Sequence, residues 1–179
     1  GELELAGPDA LALANRLVTN DLERAADGQG MYTVCCNEQG TILDDLIIYR
    51  RSATDVLVVC NASNRDKISA HFARAAAGKL KFDDVTDRTA LIALQGPRAF
   101  EVLAAVEPAL AGLAESLGSF RFCAAKIADI PCTIARTGYT GEDGVELFCA
   151  WDDAGARWRA LLAAGEGFGI APTGLGARD

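Results

Sequence analysis

Two adjacent carboxylates interrupt an apolar stretch of the sequence, ILDDLII, where Asp44 and Asp45 stand among residues typical of a buried β-strand. Burying a carboxylate costs several kcal/mol unless the group is paired or hydrogen-bonded. An acid held in this way can accept hydrogen bonds from the N–H donors of a ligand. The stretch therefore predicts an acid with a chemical role. The alternative is that both carboxylates are solvated at a strand end or bond Arg50 and Arg51.

Side-chain alternation along a strand separates the two acids. Asp45 shares a face with Tyr49, whereas Asp44 points to the other face. If the preceding hairpin is symmetric about Glu38 and Gln39, Tyr32 lies directly opposite Asp45. A bulge would change this register. The pattern predicts a carboxylate flanked by tyrosines on one face of a sheet.

A second stretch, RTGYTGEDGVELF (residues 136–148), repeats the combination of tyrosine and strand carboxylate. Its glycines predict a tight loop with Tyr139 at the apex, and Glu146 lies in the apolar strand that follows. The terminal GLGARD places Arg178 after two glycines. A flat heteroaromatic ring with adjacent N–H donors suits such a site, because a carboxylate accepts two parallel hydrogen bonds and tyrosines cover the ring. A pterin has this donor edge.

Charge and hydropathy exclude several classes of function. The chain has 25 acidic and 17 basic residues, a net charge of −8, which is the wrong sign for binding nucleic acid through its phosphates. Its apolar runs are far shorter than the roughly twenty residues of a membrane span, and no signal segment opens the sequence. We therefore expect a cytoplasmic protein with neither a nucleic-acid nor a membrane partner.

Metal and triad chemistry have little support in the sequence. The six cysteines lie in apolar, strand-like runs without a CxxC pair, which favours free thiols over disulfides or a zinc site. His71 is the single histidine, so a catalytic triad has one possible base. It falls in an apolar-striped helical segment, and we interpret it as an ordinary helix-surface residue. We expect no metal site.

The elements that must position these residues alternate irregularly. The pattern predicts four helices. The first begins at Pro8, the second contains His71, the third runs from Pro97 to residue 117 and the fourth begins at Asp152. The pattern predicts strands at 2–6, 30–36, 41–50, 55–60, 81–86, 89–95, 119–129, 131–136 and 145–151. Short turns between neighbouring strands favour an antiparallel α+β fold over a doubly wound sheet. We expect one domain, with two lobes as the alternative, and no internal repeat is evident.

The motifs GQGMYTVCCNEQGTILDDLIIYR, VCNASNRDK, LIALQGP, RTGYTGEDGVELF and GLGARD, in this order, resemble the aminomethyltransferases, the T-proteins of the glycine cleavage system. The resemblance covers almost the whole chain. It implies a folate-binding α+β domain built from ferredoxin-like units and followed by a barrel-like domain. We therefore expect residues 1–179 to be the folate-binding domain, truncated at both ends and without the barrel-like domain.

The resemblance also implies roles for individual residues. Asp45 takes the place of the catalytic aspartate, in preference to Asp44. The positions that resemble folate contacts are Tyr32, Tyr49, Asn61, Tyr139, Glu146 and Arg178. The implied reaction moves a methylene carbon from an aminomethyl group on the lipoyl arm of the H-protein to the cofactor tetrahydrofolate, with release of ammonia.

Three other functions remain open from the sequence. Folate-dependent demethylases and the folate domains of sarcosine or dimethylglycine oxidases use a different one-carbon donor. A non-catalytic folate-binding module of the kind linked to iron–sulfur assembly carries the signature KGCYxGQE, which this sequence lacks. A structural fragment without activity of its own is the third.

Overall fold

The computed structural model describes residues 1–178, apart from the side chains of Leu175 and Arg178. The chain divides into two compact units, Gly1–Asp87 and Arg88–Asp179. Each unit is an antiparallel sheet with helices packed against it. The α+β class predicted from the sequence is confirmed.

The first unit is a five-stranded sheet. Its elements are β1 (Glu2–Ala6), α1 (Ala10–Leu17), β2 (Gln29–Cys36), β3 (Ile42–Ser52), β4 (Asp55–Cys60), α2 (Arg65–Ala76) and β5 (Lys81–Asp84). The strands lie in the order β2-β3-β4-β1-β5. Leu13 of α1 and Phe72 of α2 join sheet residues in one hydrophobic core, because both helices turn their apolar stripes to the same face. The element order is that of a ferredoxin-like βαββαβ unit with one added strand.

The second unit contains a four-stranded sheet. Its elements are β6 (Thr89–Gln95), α3 (Ala99–Val106), α4 (Leu113–Ser116), β7 (Phe122–Ile127), β8 (Ile130–Ala135), β9 (Gly144–Ala150), α5 (Ala154–Gly165) and α6 (Leu175–Arg178). The strands lie in the order β6-β9-β8-β7. Leu103 of α3 and Leu161 of α5 pack in its core with strand residues such as Ile134 and Leu147.

The two units share one topology, which the sequence analysis did not detect. In each, a strand and a helix precede three antiparallel strands and a further helix, and the first strand pairs with the last of those three. A Gly-Pro step joins strand to helix in both. Gly7 N donates to Thr54 O at 2.9 Å, and Gly96 N donates to Asp143 O at 2.8 Å. Gly7 has a backbone φ of 143° and Gly96 one of 120°, values that residues with a side chain rarely adopt. The chain therefore contains an internal structural repeat.

The long helix predicted from Pro97 to residue 117 is wrong in its second half. Helix α3 ends at Val106, a 3₁₀ turn follows at Pro108–Leu110, and α4 is a single turn. Pro108 provides no backbone N–H and disfavours helical conformation at Glu107, which has φ −142°. Gly112 then adopts φ 86°. The alanine- and leucine-rich composition was outweighed by these two residues.

Other features bear on the functional classes. Among the helices of the described residues, none has the length and apolar character needed to span a membrane. All six cysteines are free. His71 lies within α2, as the sequence predicts, and burial beside Phe72 lowers its pKa.

Candidate functional site

The pleat of β3 sends Asp44 and Asp45 to opposite faces of the first sheet. Leu46 and Ile48 belong to the core that the helices cover, and Asp44 shares their face. Asp45 shares the other face with Tyr49. The two acids therefore occupy different environments, although they are neighbours in the sequence.

Asp44 is held by the protein itself. Asp44 is buried, with 3% of its surface exposed to solvent. The carboxylate accepts hydrogen bonds from Asn61 N at 3.0 Å, Asn61 Nδ2 at 2.9 Å and Asn64 Nδ2 at 2.6 Å. These neutral amide donors satisfy a buried charge at the point where β4 leads into α2. Asp44 therefore anchors the start of α2 to the sheet.

The solvated or arginine-paired alternative is wrong. Arg50 donates instead to Asp27 and to the carbonyl of Ala25, at 2.7 and 2.8 Å. Arg51 donates to Glu4 at 2.7 Å and more distantly to Asp55. Both acids lie inside β3 rather than at its end, so their positions are set by the strand.

Removing the Asp44 carboxylate should destabilise the fold. Asp44→Ala removes the acceptor of the Asn61 backbone N–H and of Asn64 Nδ2, and we expect a loss of about 2–3 kcal/mol in the free energy of unfolding. Urea unfolding followed by circular dichroism measures this loss. Glu38→Ala, in the exposed hairpin turn, is the control for loss of a surface carboxylate and should change stability by less than about 0.5 kcal/mol. Equal effects in the two variants would contradict the anchoring role.

Asp45 is half-buried, and its carboxylate is oriented by two side chains. Tyr32 Oη donates to Oδ2 at 2.9 Å, and Asn61 Nδ2 donates to Oδ1 at 2.9 Å. The hydrogen bond to Asp45, with smaller contributions from desolvation and the nearby charges, raises the pKa of Tyr32. The phenol therefore stays a donor to Asp45. An oriented, partly accessible carboxylate of this kind can accept a proton or a hydrogen bond from a ligand.

The hairpin register differs by two residues from the predicted one. Tyr32 pairs with Ile47 and Asp45 pairs with Val34. The turn is longer than assumed, because Asn37 Oδ1 accepts from the amides of Gln39 and Thr41, and a bulge follows Cys35. A shift by an even number of residues keeps each side chain on its face. Tyr32 therefore reaches Asp45 diagonally rather than from the directly opposite position.

Asn61 and Tyr49 are positioned by close contacts that the sequence did not reveal. Asn61 Nδ2 lies within 3.0 Å of both Asp44 Oδ1 and Asp45 Oδ1, so one amide group links the two acids. Tyr49 is 2% exposed, and a Cβ on Gly30 would lie 3.0 Å from its ring. Glycine at position 30 therefore leaves room for the ring.

The sequence analysis did not predict a role for Asn64. The signal it offered was an asparagine at the start of a helix.

Glu146 is a buried acid on the face of the second sheet that points away from the hydrophobic core of this unit. Its neighbours Val145 and Leu147 belong to the hydrophobic core on the opposite face, and Glu146 is 5% exposed. The hydroxyl of Thr137 donates a hydrogen bond to Glu146 Oε2. The sequence analysis did not select Thr137. Its one signal was its place in the loop motif two residues before Tyr139, which is 59% exposed.

The loop between β8 and β9 is fixed at its base by an ion pair between Arg136 and Asp143. Arg136 donates to both carboxylate oxygens of Asp143, at 3.0 and 2.6 Å, and also to the carbonyls of Ala114 and Leu117, each at 2.6 Å. The hydrogen bond from Arg136 lowers the pKa of Asp143. Arg136 therefore ties the loop to the segment around α4.

The second unit also contains a pocket of about 690 Å³. Tyr139, Trp158 and Leu162 contribute to its walls, and Thr140 adds a hydroxyl group. Among the residues that the structure describes, no cluster of three or more His, Cys, Asp or Glu side chains could hold a metal ion. Arg178 ends α6, but its predicted folate contact concerns a side chain outside the described part of the structure.

Comparison with known families identifies the chain. The model of the GCVT N-terminal domain matches residues 1–179. The chain belongs to the GCVT N-terminal domain family. The resemblance to the T-proteins of the glycine cleavage system, which the sequence motifs indicated, is confirmed.

Named relatives agree with this assignment. The aminomethyltransferase of Halalkalibacterium halodurans is 45% identical over 181 residues, covering 100% of this chain and 48% of the relative. The aminomethyltransferase of Bacillus subtilis is 42% identical over 180 residues, covering 100% and 49%. This GCVT domain therefore spans about half the length of the curated relatives it matches.

Solved structures have the same fold. The glycine cleavage system aminomethyltransferase T from Bartonella henselae matches with a TM-score of 0.84 at 31% identity, covering 99% of this GCVT domain and 46% of that chain. A heterotetrameric sarcosine oxidase from Corynebacterium sp. U-96 matches with a TM-score of 0.64 at 17% identity, covering 97% and 83%. The second likeness is one of fold alone.

Proposed function

We propose that this GCVT domain is the folate-binding part of an aminomethyltransferase. In the proposed reaction, the methylene of an aminomethyl group bound to a lipoyl sulfur passes to N5 and N10 of tetrahydrofolate. The carbon–sulfur and carbon–nitrogen bonds of the donor break. The two protons lost from the folate nitrogens appear on the lipoyl thiol and on ammonia. The family assignment and the aminomethyltransferase relatives support this reaction class.

The observation that carries the proposal is the orientation of Asp45. Its two oxygens accept from Tyr32 and Asn61, and its exposure leaves room for a further donor. Asp45 would accept a hydrogen bond from a folate nitrogen and orient that weak nucleophile towards the methylene carbon. As positive charge develops on the nitrogen, the carboxylate would stabilise it. Positioning and electrostatics of this kind contribute factors of roughly 10² to 10⁴ per group.

Glu146 and its surroundings suit the donor edge of a pterin. The hydroxyl of Thr137 orients the carboxylate through Oε2, and a carboxylate can accept two parallel hydrogen bonds from adjacent ring N–H groups. Tyr139, exposed on the adjoining loop, would cover an aromatic ring. Tyr32, Tyr49 and Asn61 are proposed as further folate contacts, and Arg178 as a contact for a tail carboxylate. Because Asn61 Nδ2 is engaged by the two acids, its side-chain oxygen is the atom proposed to face the ligand.

The proposed partner is a lipoylated carrier of the H-protein kind, which would deliver the aminomethyl group. We propose the cytoplasm as the compartment, since six free thiols are typical of a reducing environment. Ammonia release tests the function. The 179-residue chain is mixed with tetrahydrofolate and an H-protein whose lipoyl arm carries the aminomethyl group.

We expect ammonia and 5,10-methylenetetrahydrofolate in equal amounts, dependent on all three components. Formation of methylenetetrahydrofolate when sarcosine or dimethylglycine is oxidised by an added flavin-dependent oxidase, which brings the methyl carbon to the methylene oxidation level, but not from the aminomethyl carrier, would instead indicate a demethylase or an oxidase-type folate domain. Folate binding without turnover of any donor would indicate a non-catalytic module. The absence of folate binding would overturn the proposal.

A further inference from the structure

Gln95 ends β6 in the motif LIALQGP and has no role in the proposed chemistry. Its side-chain Nε2 donates to Thr137 O at 3.1 Å and to Val145 O at 3.0 Å. Thr137 lies just after β8 and Val145 is the second residue of β9. One amide group therefore joins both ends of the loop that carries Tyr139.

Gly138 makes room for the Gln95 side chain. A Cβ on Gly138 would lie 2.0 Å from Gln95 Oε1, which is too close for a real side chain, so any larger residue there would displace the Gln95 amide. At Gly144 an added Cβ would lie 2.6 Å from the backbone oxygen of Leu94 as well as 2.8 Å from Gln95 Cδ, so close approach of the neighbouring strand also requires glycine there.

The internal repeat supplies a comparison within the same chain. Gly7 and Gly96 make the equivalent backbone hydrogen bond, so Ala6 is the counterpart of Gln95. In the first unit only two residues, 53 and 54, separate β3 from β4, whereas residues 136–143 separate β8 from β9. Alanine at position 6 is therefore matched by glutamine at position 95 in the unit with the longer loop, where the glutamine side chain hydrogen-bonds both ends of that loop.

The contacts of Gln95 lead directly to the proposed folate residues. The carbonyl oxygen of Thr137 accepts a hydrogen bond from Gln95 Nε2, and the hydroxyl of Thr137 donates one to Glu146. Val145, the other acceptor, precedes Glu146, and Gln95 lies on the same sheet face as Glu146. We propose that Gln95 is a positioning residue that sets the loop and Glu146 for ligand binding. This inference rests on the proposed folate function.

Gln95→Met tests the proposal, because methionine has similar length and lacks the amide donor. The 179-residue chain is titrated with 5-formyltetrahydrofolate, and backbone amide exchange is followed by mass spectrometry. We expect faster exchange in residues 137–143 and roughly tenfold weaker binding, since small misplacements of binding groups have large effects. In the ammonia-release assay, KM for tetrahydrofolate should rise about tenfold with kcat changed less than twofold. The matched control is Gln39→Met in the exposed hairpin turn, which should match the wild type.

The outcomes separate the inference from the proposed function. Wild-type affinity and unchanged loop exchange in Gln95→Met would overturn the inference, and so would faster exchange with unchanged affinity. If Glu146→Gln weakens binding and Gln95→Met does not, the proposed function stands and the role of Gln95 falls. If the wild-type chain does not bind 5-formyltetrahydrofolate, the proposed function fails and the ligand role of Gln95 fails with it. The exchange data then decide only whether Gln95 anchors the loop.

Discussion

Asp45→Asn is expected to lower the turnover of ammonia release by two to four orders of magnitude, roughly 10² to 10⁴, while the domain stays folded and binds folate. The substitution removes the negative charge that would stabilise a developing cation on the folate nitrogen. It keeps the shape of the side chain. An amide at position 45 can still accept from Asn61 and can donate to the oxygen of Tyr32, so both neighbours remain hydrogen-bonded.

Three measurements define this result. Ammonia release gives kcat, titration with 5-formyltetrahydrofolate gives the dissociation constant, and urea unfolding gives stability. We expect a large fall in kcat, a change in dissociation constant below about threefold, and an unfolding free energy within about 0.5 kcal/mol of the wild type. Asp9→Asn, at an exposed position before α1, is the matched control for loss of one carboxylate. Normal turnover in Asp45→Asn would reject Asp45 as the catalytic acid.

The different environments of Asp44 and Asp45 could be predicted from the sequence. Side chains alternate along a strand, so the apolar residues of β3 were enough to assign Asp45 to the face of Tyr49 and Asp44 to the other. The resemblance to a family then favoured Asp45, and strand alternation agreed with it. In the structure Asp44 is enclosed by amides of Asn61 and Asn64, whereas Asp45 is half-buried.

The contacts that the sequence did not predict join residues far apart in the chain. Asn64 is 20 residues from Asp44, and Gln95 is 42 residues from Thr137 and 50 from Val145. Local periodicity carries no information about such pairs, which depend on strand order and register. The register of β2 and β3 was itself misjudged, because Asn37 closes a longer turn than a symmetric hairpin. The internal repeat was missed for a similar reason: Gly7-Pro8 and Gly96-Pro97 are short signals, and the equivalence lies in the pairing of strands.

Glu146→Gln should mainly weaken folate binding. A charged acceptor contributes about 1.5–3 kcal/mol to a hydrogen bond, so losing the charge towards a pterin donor edge should raise the dissociation constant for 5-formyltetrahydrofolate about 10- to 100-fold. The side-chain amide keeps an oxygen for the hydroxyl of Thr137 and has nearly the same volume, so the second sheet should remain intact. At saturating tetrahydrofolate, kcat should fall far less than in Asp45→Asn, because the effect is on ligand binding rather than on the reacting nitrogen.

Calorimetric titration of the two variants and the wild type separates binding from chemistry. Glu38→Gln, in the exposed hairpin turn, removes the same charge away from the proposed site and should leave the dissociation constant unchanged. Urea unfolding identifies any loss of affinity that comes from a damaged fold. Wild-type affinity in a folded Glu146→Gln variant would show that this acid does not bind the ligand. If kcat in Glu146→Gln falls as far as in Asp45→Asn while the affinity is unchanged, Glu146 acts in the reaction and not in ligand binding.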